Sequence, residues 1–371
     1  MTTNNTLYVK GEHIPKIDDD EIYFLNRLTI LYGPSGTGKS SLISHIINTL
    51  RHVVPVAIVC CPTNQMNGDY TGVFPDSCIH DDLTKDIMER LFDRQNNMIA
   101  MYNKVRDIDQ IIGLFNKCAS ESEKDRISNL KEILESGKAA INEKYSSEDA
   151  EVNIKELEGT YKRKTIKTLR RCIKKNIKYL SSIQDLTENE NVILTHFNIN
   201  PNLLLIVDDC AASIKSWRDL EETKKLFFQG RHYKVTVLLT MQNESIISPP
   251  LRQNAHISIF TTERIVNTYF SKTSSGVSNE DKKRYSNIAN VIFNSSDKRG
   301  EPNYKKMVYF SPLINTENKL QYMIAKPVKH KFGSAPFWEF CEKTKKNNFN
   351  ENSHRFNKMF NLSPKPILSS T

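Results

Sequence analysis

The chain has 371 residues, of which 38% are hydrophobic and 26% charged, with a formal net charge of +9. That composition excludes a collagen-like, low-complexity or disulfide-stapled chain and suits one large or two modest globular domains. The 52 Lys and Arg against 43 Asp and Glu suit an acidic partner such as nucleic acid.

The seven cysteines are odd in number and show no C-x-x-C spacing. A disulfide framework or a zinc site is therefore not expected, and a reducing compartment fits better. The opening Met1-Thr-Thr-Asn-Asn-Thr lacks a charged-then-apolar layout, so no signal peptide is expected. Nor does any run reach about eighteen apolar residues, the length a membrane span needs.

Residues 28–31 form a short, mostly apolar run suited to a buried parallel strand. The run leads into Gly33-Pro34-Ser35-Gly36-Thr37-Gly38-Lys39-Ser40-Ser41, where Gly33-x-x-x-x-Gly38-Lys39-Ser40 completes the phosphate-binding loop pattern. Next, Leu42, Ile43, Ile46, Ile47 and Leu50 fall at helical spacing. Strand, glycine loop and helix together are what the chemistry requires. Glycines let successive N–H groups face one anion, and the helix adds its N-terminal partial charge. Lys39 is expected to reach the β- and γ-phosphates of ATP, and the Ser40 hydroxyl to ligate Mg2+.

Residues 53–61 read as a second buried strand, followed by a loop over 62–76. From 81 to 195 the pattern is helical and free of proline, which marks a helical insertion with hairpin character. Its last part is basic: Lys155, Lys162, Arg163, Lys164, Lys167, Arg170, Arg171, Lys174, Lys175 and Lys178 surround an apolar stripe of Ile166, Leu169, Ile173 and Ile177. A solvated face and contact with a phosphate backbone weigh about evenly for this surface.

Residues 203–207 are the third strand, an unbroken apolar run ending in Asp208-Asp209. Two carboxylates at a strand end suit Asp208 to the Mg2+ shell, through water, and Asp209 to polarising the attacking water. A helix over 220–230 leads to the fourth strand, 235–240, which ends in Met241-Gln242. Gln242 is placed to orient water near the γ-phosphate. Arg231 and Arg252 are candidates for supplying charge to a neighbouring subunit's nucleotide, although residue type alone favours a surface ion pair for each. Residues 256–260 are the fifth strand, and 306–310 with 320–325 suggest a hairpin. From 345 the chain is rich in Asn, Lys and Ser and reads as disordered or partner-bound. The fold class is therefore α/β: a P-loop NTPase core with a mainly parallel sheet flanked by helices. The expected boundaries are 1–80 and 196–330 for the core, 81–195 for the helical insertion, and 331–371 for a polar, flexible tail.

Together these blocks resemble the FtsK–HerA superfamily of ring-forming DNA-pumping ATPases, and more narrowly the genome-packaging ATPases of poxviruses and other nucleocytoplasmic large DNA viruses. The resemblance rests on the phosphate loop, Leu205-Ile-Val-Asp208-Asp209, Phe228-Gln-Gly-Arg231-His232-Tyr233, Thr240-Met-Gln242 and Leu251-Arg252-Gln-Asn254. It covers about residues 25–65 and 200–270. It implies ATP hydrolysis with Mg2+, a homo-oligomeric ring (pentamer or hexamer) and double-stranded DNA as the translocated substrate, packaged into a capsid. It also implies a place in the host cytoplasm, at the viral factory, or in the virion, with capsid or inner-membrane viral proteins as further partners. By this resemblance Asp209 is the catalytic acidic residue, Gln242 the polar sensor and Arg252 the arginine finger, with Arg231 as the alternative. The helical stretch before the carboxylate strand is longer than a minimal core needs. The rivals are a DNA pump or helicase of another mobile element, and a P-loop nucleoside or small-molecule kinase that would turn over ATP without DNA.

Overall fold

The computed structural model describes residues 7–17, 20–211, 213–243, 246–272, 277–295 and 304–346. It forms two compact units. One is built from residues up to Asn96 and from Asn202 onward, and the other is Asn97–Pro201.

The first unit contains a two-stranded antiparallel sheet, β1 (Leu7–Val9) with β2 (Glu12–Ile14). Its main sheet comprises β3 (Leu28–Tyr32), β4 (Val56–Cys60), β5 (Ile79–His80), β6 (Leu203–Val207), β7 (Val235–Met241), β8 (Ile257–Phe260), β9 (Lys305–Phe310) and β10 (Leu320–Ile324). The strand order is β10-β9-β8-β3-β7-β6-β4-β5. The six strands from β8 to β5 are parallel, while β9 and β10 are antiparallel. Every residue of β3, β4, β6, β7 and β8 is buried, as a sheet covered on both faces requires. This is an α/β P-loop NTPase core, and β9–β10 form the hairpin that the sequence suggests.

Several boundaries differ from the sequence reading. β4 begins at Val56 because Pro55 has no N–H for the ladder, while the Val53 and Val54 amides turn back to the Leu50 carbonyl. β1, β2 and β5 are two or three residues long, too short to leave a periodic signal. Helices Glu263–Ser271 and Asn279–Asn294 follow β8. The tail reading needs correction at its start. Residues Ala335–Lys346 are helical, Phe332 and Cys341 are buried, and the Trp338 indole N–H donates to the Phe332 carbonyl at 2.7 Å. Phe337, Phe340 and Cys341 fall at the spacing of one helix face, a short apolar signal within a lysine-rich sequence. The rest of the expected tail, from 347, lies outside the described residues.

The second unit consists mainly of helices Ile108–Cys118, Glu121–Lys144, Ser147–Lys175 and Glu188–Thr195. Capping boxes at Ser120/Glu123 and Thr187/Glu190 start two of them. Leu114, Phe115, Leu169, Ile173 and Phe197 fill its separate core. The unit begins later than residue 81 because Ile87, Met88, Leu91 and Phe92 of helix Lys85–Lys104 are buried in the first unit's core.

Candidate nucleotide-binding and hydrolysis site

β3 delivers the glycine loop, and helix Lys39–Leu50 starts at its end. Gly36 and Gly38 have φ of +76° and +86°, the left-handed region that glycine enters without a Cβ clash. Gly33 is needed for a different reason: a Cβ there would lie 1.8 Å from Thr261 Oγ1. Thr261 follows β8. Its hydroxyl meets the Thr37 hydroxyl at 2.7 Å, and the Thr37 hydroxyl also donates to the Pro34 carbonyl at 2.8 Å. Lys39 Nζ donates to the carbonyls of Gly33 and Pro34, both at 2.9 Å, and so closes across the loop. Burial lowers the Lys39 ammonium from the usual lysine range, while Asp208 and Asp209 pull it back up. Ser35 and Ser40 are exposed, and Ser41 is half-buried, facing a cavity of about 110 Å³ with Ser44, Asp69, Tyr70 and Val328.

The carboxylate pair sits just past β6. Asp208 is only 5% exposed. Its two oxygens accept from Tyr70 Oη and Thr240 Oγ1, each at 2.7 Å. Burial raises its carboxyl, opposed by these two hydrogen bonds and by Lys39. The charged form therefore depends on its partners. The same environment, burial first and then Asp208, raises the Tyr70 phenol well above its ordinary range. Asp209 is half-buried and has φ of +55°. Its amide donates to Thr240 Oγ1 at 3.0 Å. Gln242, past the end of β7, donates from Nε2 to Asp209 Oδ1 at 3.1 Å, and its Nε2 lies 3.4 Å from Ser35 Oγ.

β7 lies between β3 and β6 in the sheet, so Gln242 emerges between the phosphate loop and the carboxylates. The fold thus brings Lys39, Asp208, Asp209 and Gln242 to one crevice at the carboxyl ends of parallel strands, where such sheets bind ligands. A carboxylate oxygen and an amide side by side can accept a proton from a water molecule and orient it.

The two arginines differ in exposure. Arg252 is 8% exposed and lines a groove with Ser258, Tyr269 and Ser311. Arg231 is exposed, with Nε donating to His232 Nε2 at 3.3 Å. Tyr70, Thr261 and Lys306 enter the site without a motif to announce them. Thr240 alone carried a signal, as the residue two before Gln242 at a strand end.

The basic helix is sorted by packing. Lys162, Arg163, Lys164, Lys167, Arg171, Lys174 and Lys175 are exposed. Arg170 is not a free cation. Its guanidinium donates to the carbonyls of Val105 and Phe197 and lies over the Phe197 ring, 4.2 Å from its centre. Burial lowers it to about 10.

No family model matches the chain. An uncharacterised African swine fever virus protein is 28% identical over 345 residues, covering 90% of this chain and 92% of that protein. An uncharacterised protein of Acanthamoeba polyphaga mimivirus is 21% identical over 322 residues, covering 85% and 78%. Among solved structures, the genome packaging NTPase B204 from Sulfolobus turreted icosahedral virus 2 overlaps 84% of this chain and 100% of its own, with 12% identity and a TM-score of 0.37. The phosphate loop, carboxylate pair and strand-end glutamine that carry the resemblance to FtsK–HerA ATPases thus share one crevice, in a chain similar over most of its length to proteins of large DNA viruses.

Proposed function

We propose that this protein is an ATP-driven double-stranded DNA translocase that packages a viral genome into its capsid, working as a homo-oligomeric ring. The observation that carries the hydrolysis reading is the Gln242–Asp209 hydrogen bond beside the phosphate loop. It joins a carboxylate to an amide at adjacent strand ends next to the phosphate loop, which supports their acting together on a water near the γ-phosphate. Lys39 and the loop amides would hold the β- and γ-phosphates, Asp209 would take a proton from the attacking water, and Gln242 would hold that water in line. Mg2+ fits the residues present. Asp208 is a buried carboxylate at the loop, and Ser40 is exposed at the helix start. That suits an ion bound by one or two protein oxygens plus phosphates and water. When bound, it would neutralise charge on the phosphates.

The DNA part of the reading rests on the motif resemblance, the large-DNA-virus relatives and the exposed cations of helix Ser147–Lys175. Arg231, rather than the buried Arg252, is the arginine we assign to a neighbour's nucleotide. The test is ATP turnover with and without linear duplex DNA. Stimulation by duplex supports the motor. Turnover indifferent to DNA and dependent on a small phosphoacceptor would replace it with a kinase.

A further inference from the structure

Lys306 is buried on β9, at 7% exposure, although nothing in the Lys305-Lys306 pair distinguishes it from a surface lysine. Its ammonium donates to the Thr37 carbonyl of the phosphate loop at 3.1 Å. A Cβ added at Gly38 would lie 3.7 Å from its Nζ and 3.8 Å from its Cε. Burial lowers its ammonium from the usual lysine range. Among the described residues no carboxylate pairs with it. A buried cation bonded to one carbonyl keeps two N–H donors and an uncompensated charge, which is costly unless an anion approaches. Thr37 is also held from its other side by Thr261 and Pro34. The Thr37–Gly38 peptide is therefore clamped between β8 and β9 at the turn into the helix.

We infer that Lys306 is a positioning residue for the nucleotide polyphosphate. It fixes the Thr37 carbonyl, so that the loop amides after it stay aligned on the anion, and its charge adds to the field that attracts the phosphates. This inference rests on the nucleotide-site reading above. It adds a second lysine, from a distant strand, to the one in the motif.

The test uses the full-length protein with Mg2+. Calorimetry measures Kd for a non-hydrolysable ATP analogue and for inorganic triphosphate, and thermal unfolding is followed without nucleotide. Lys306→Met should raise both Kd values roughly ten- to a hundredfold, the range that removing one charged hydrogen-bonding partner produces. Because the substitution removes a buried charge, the melting temperature without nucleotide should stay level or rise. Lys306→Gln keeps a donor for Thr37 but no charge, so its Kd should fall between parent and Met variant. It also supplies the reading if the Met variant does not fold. Unchanged Kd values in the neutral variants would overturn the inference. So would an affinity loss matched by a drop in nucleotide-free melting temperature, which marks a packing role. A parent protein that binds neither probe would overturn the nucleotide-site reading together with this one.

Discussion

The two units treat their charged residues in opposite ways. In the sheet unit, the charges that matter are drawn inward and tied to specific partners. Asp208 is held by Tyr70 and Thr240, Lys39 by two loop carbonyls, and Lys306 by a third. In the helical unit, most charges are solvated, and exposed pairs such as Lys155–Glu151 hold little energy. Exceptions include Arg170 and the Lys117–Glu190 pair, at 2.6 Å, which brace its core. Reactive groups need positions fixed by surrounding structure. A surface that meets a polyanion needs only charge density.

The largest effect that would undo this contrast is expected at the phosphate loop. Lys39→Ala should lower nucleotide affinity and turnover by about a hundredfold or more, since the phosphates lose a charged hydrogen-bond donor. Binding and rate assays measure both. Parental turnover in this variant would mean that the buried cluster is structural.

Asp209→Asn narrows the same point to one carboxylate. Asn tolerates the left-handed backbone at this position, so the fold should persist and nucleotide affinity should stay within a few-fold. Turnover should fall roughly 10²- to 10⁴-fold, the scale of a missing general base. Parental hydrolysis in this variant would remove Asp209 from the chemistry.

In the helical unit the contrast divides residues within a single turn. Arg170→Gln should destabilise that unit by about 2–3 kcal/mol, because two buried carbonyls lose a charged donor and Phe197 loses its cation. Amide hydrogen exchange of its helices would report it. Replacing exposed Lys167, Arg171 and Lys174 together with Gln should leave stability within about 0.5 kcal/mol. It should flatten the salt dependence of DNA binding, by about 0.9 in log–log slope for each phosphate left unneutralised. A parental slope in the triple variant would assign this face to an acidic protein instead.

The smallest effect concerns pH. His256 is pulled down to about 4, first by burial and then by Arg27 and Arg231, and its Nδ1 accepts from the Leu28 amide at 3.3 Å. Above the ordinary value near 6.5 both folded and unfolded forms are neutral, so stability carries no penalty. As pH falls from 6.5 towards 4, the unfolded chain takes a proton that the folded one refuses, and stability drops across that window. His256→Asn should flatten this acid limb by about 2 kcal/mol, after allowance for partial exposure. Denaturant unfolding at pH 7 and pH 4.5 would show it.

The fold class and the residues that the candidate site brings together were legible in the sequence. β6 is a continuous apolar run, and β3 and β7 are apolar but for threonines, a pattern that no solvated element would carry. Each leads into residues of the candidate site: the glycine loop, the aspartate pair and the glutamine. Such signals are local, so one stretch of chain is enough to read them. Which distant residues complete the crevice emerged only from packing across the fold. Tyr70 reaches Asp208 from 138 positions away, and Lys306 reaches Thr37 from 269. Packing also selects which cation of a basic helix turns inward, and it leaves Arg252 buried while Arg231 is exposed. Those outcomes depend on burial against partners from other elements. A lysine or tyrosine carries no local mark of whether desolvation or water will surround it.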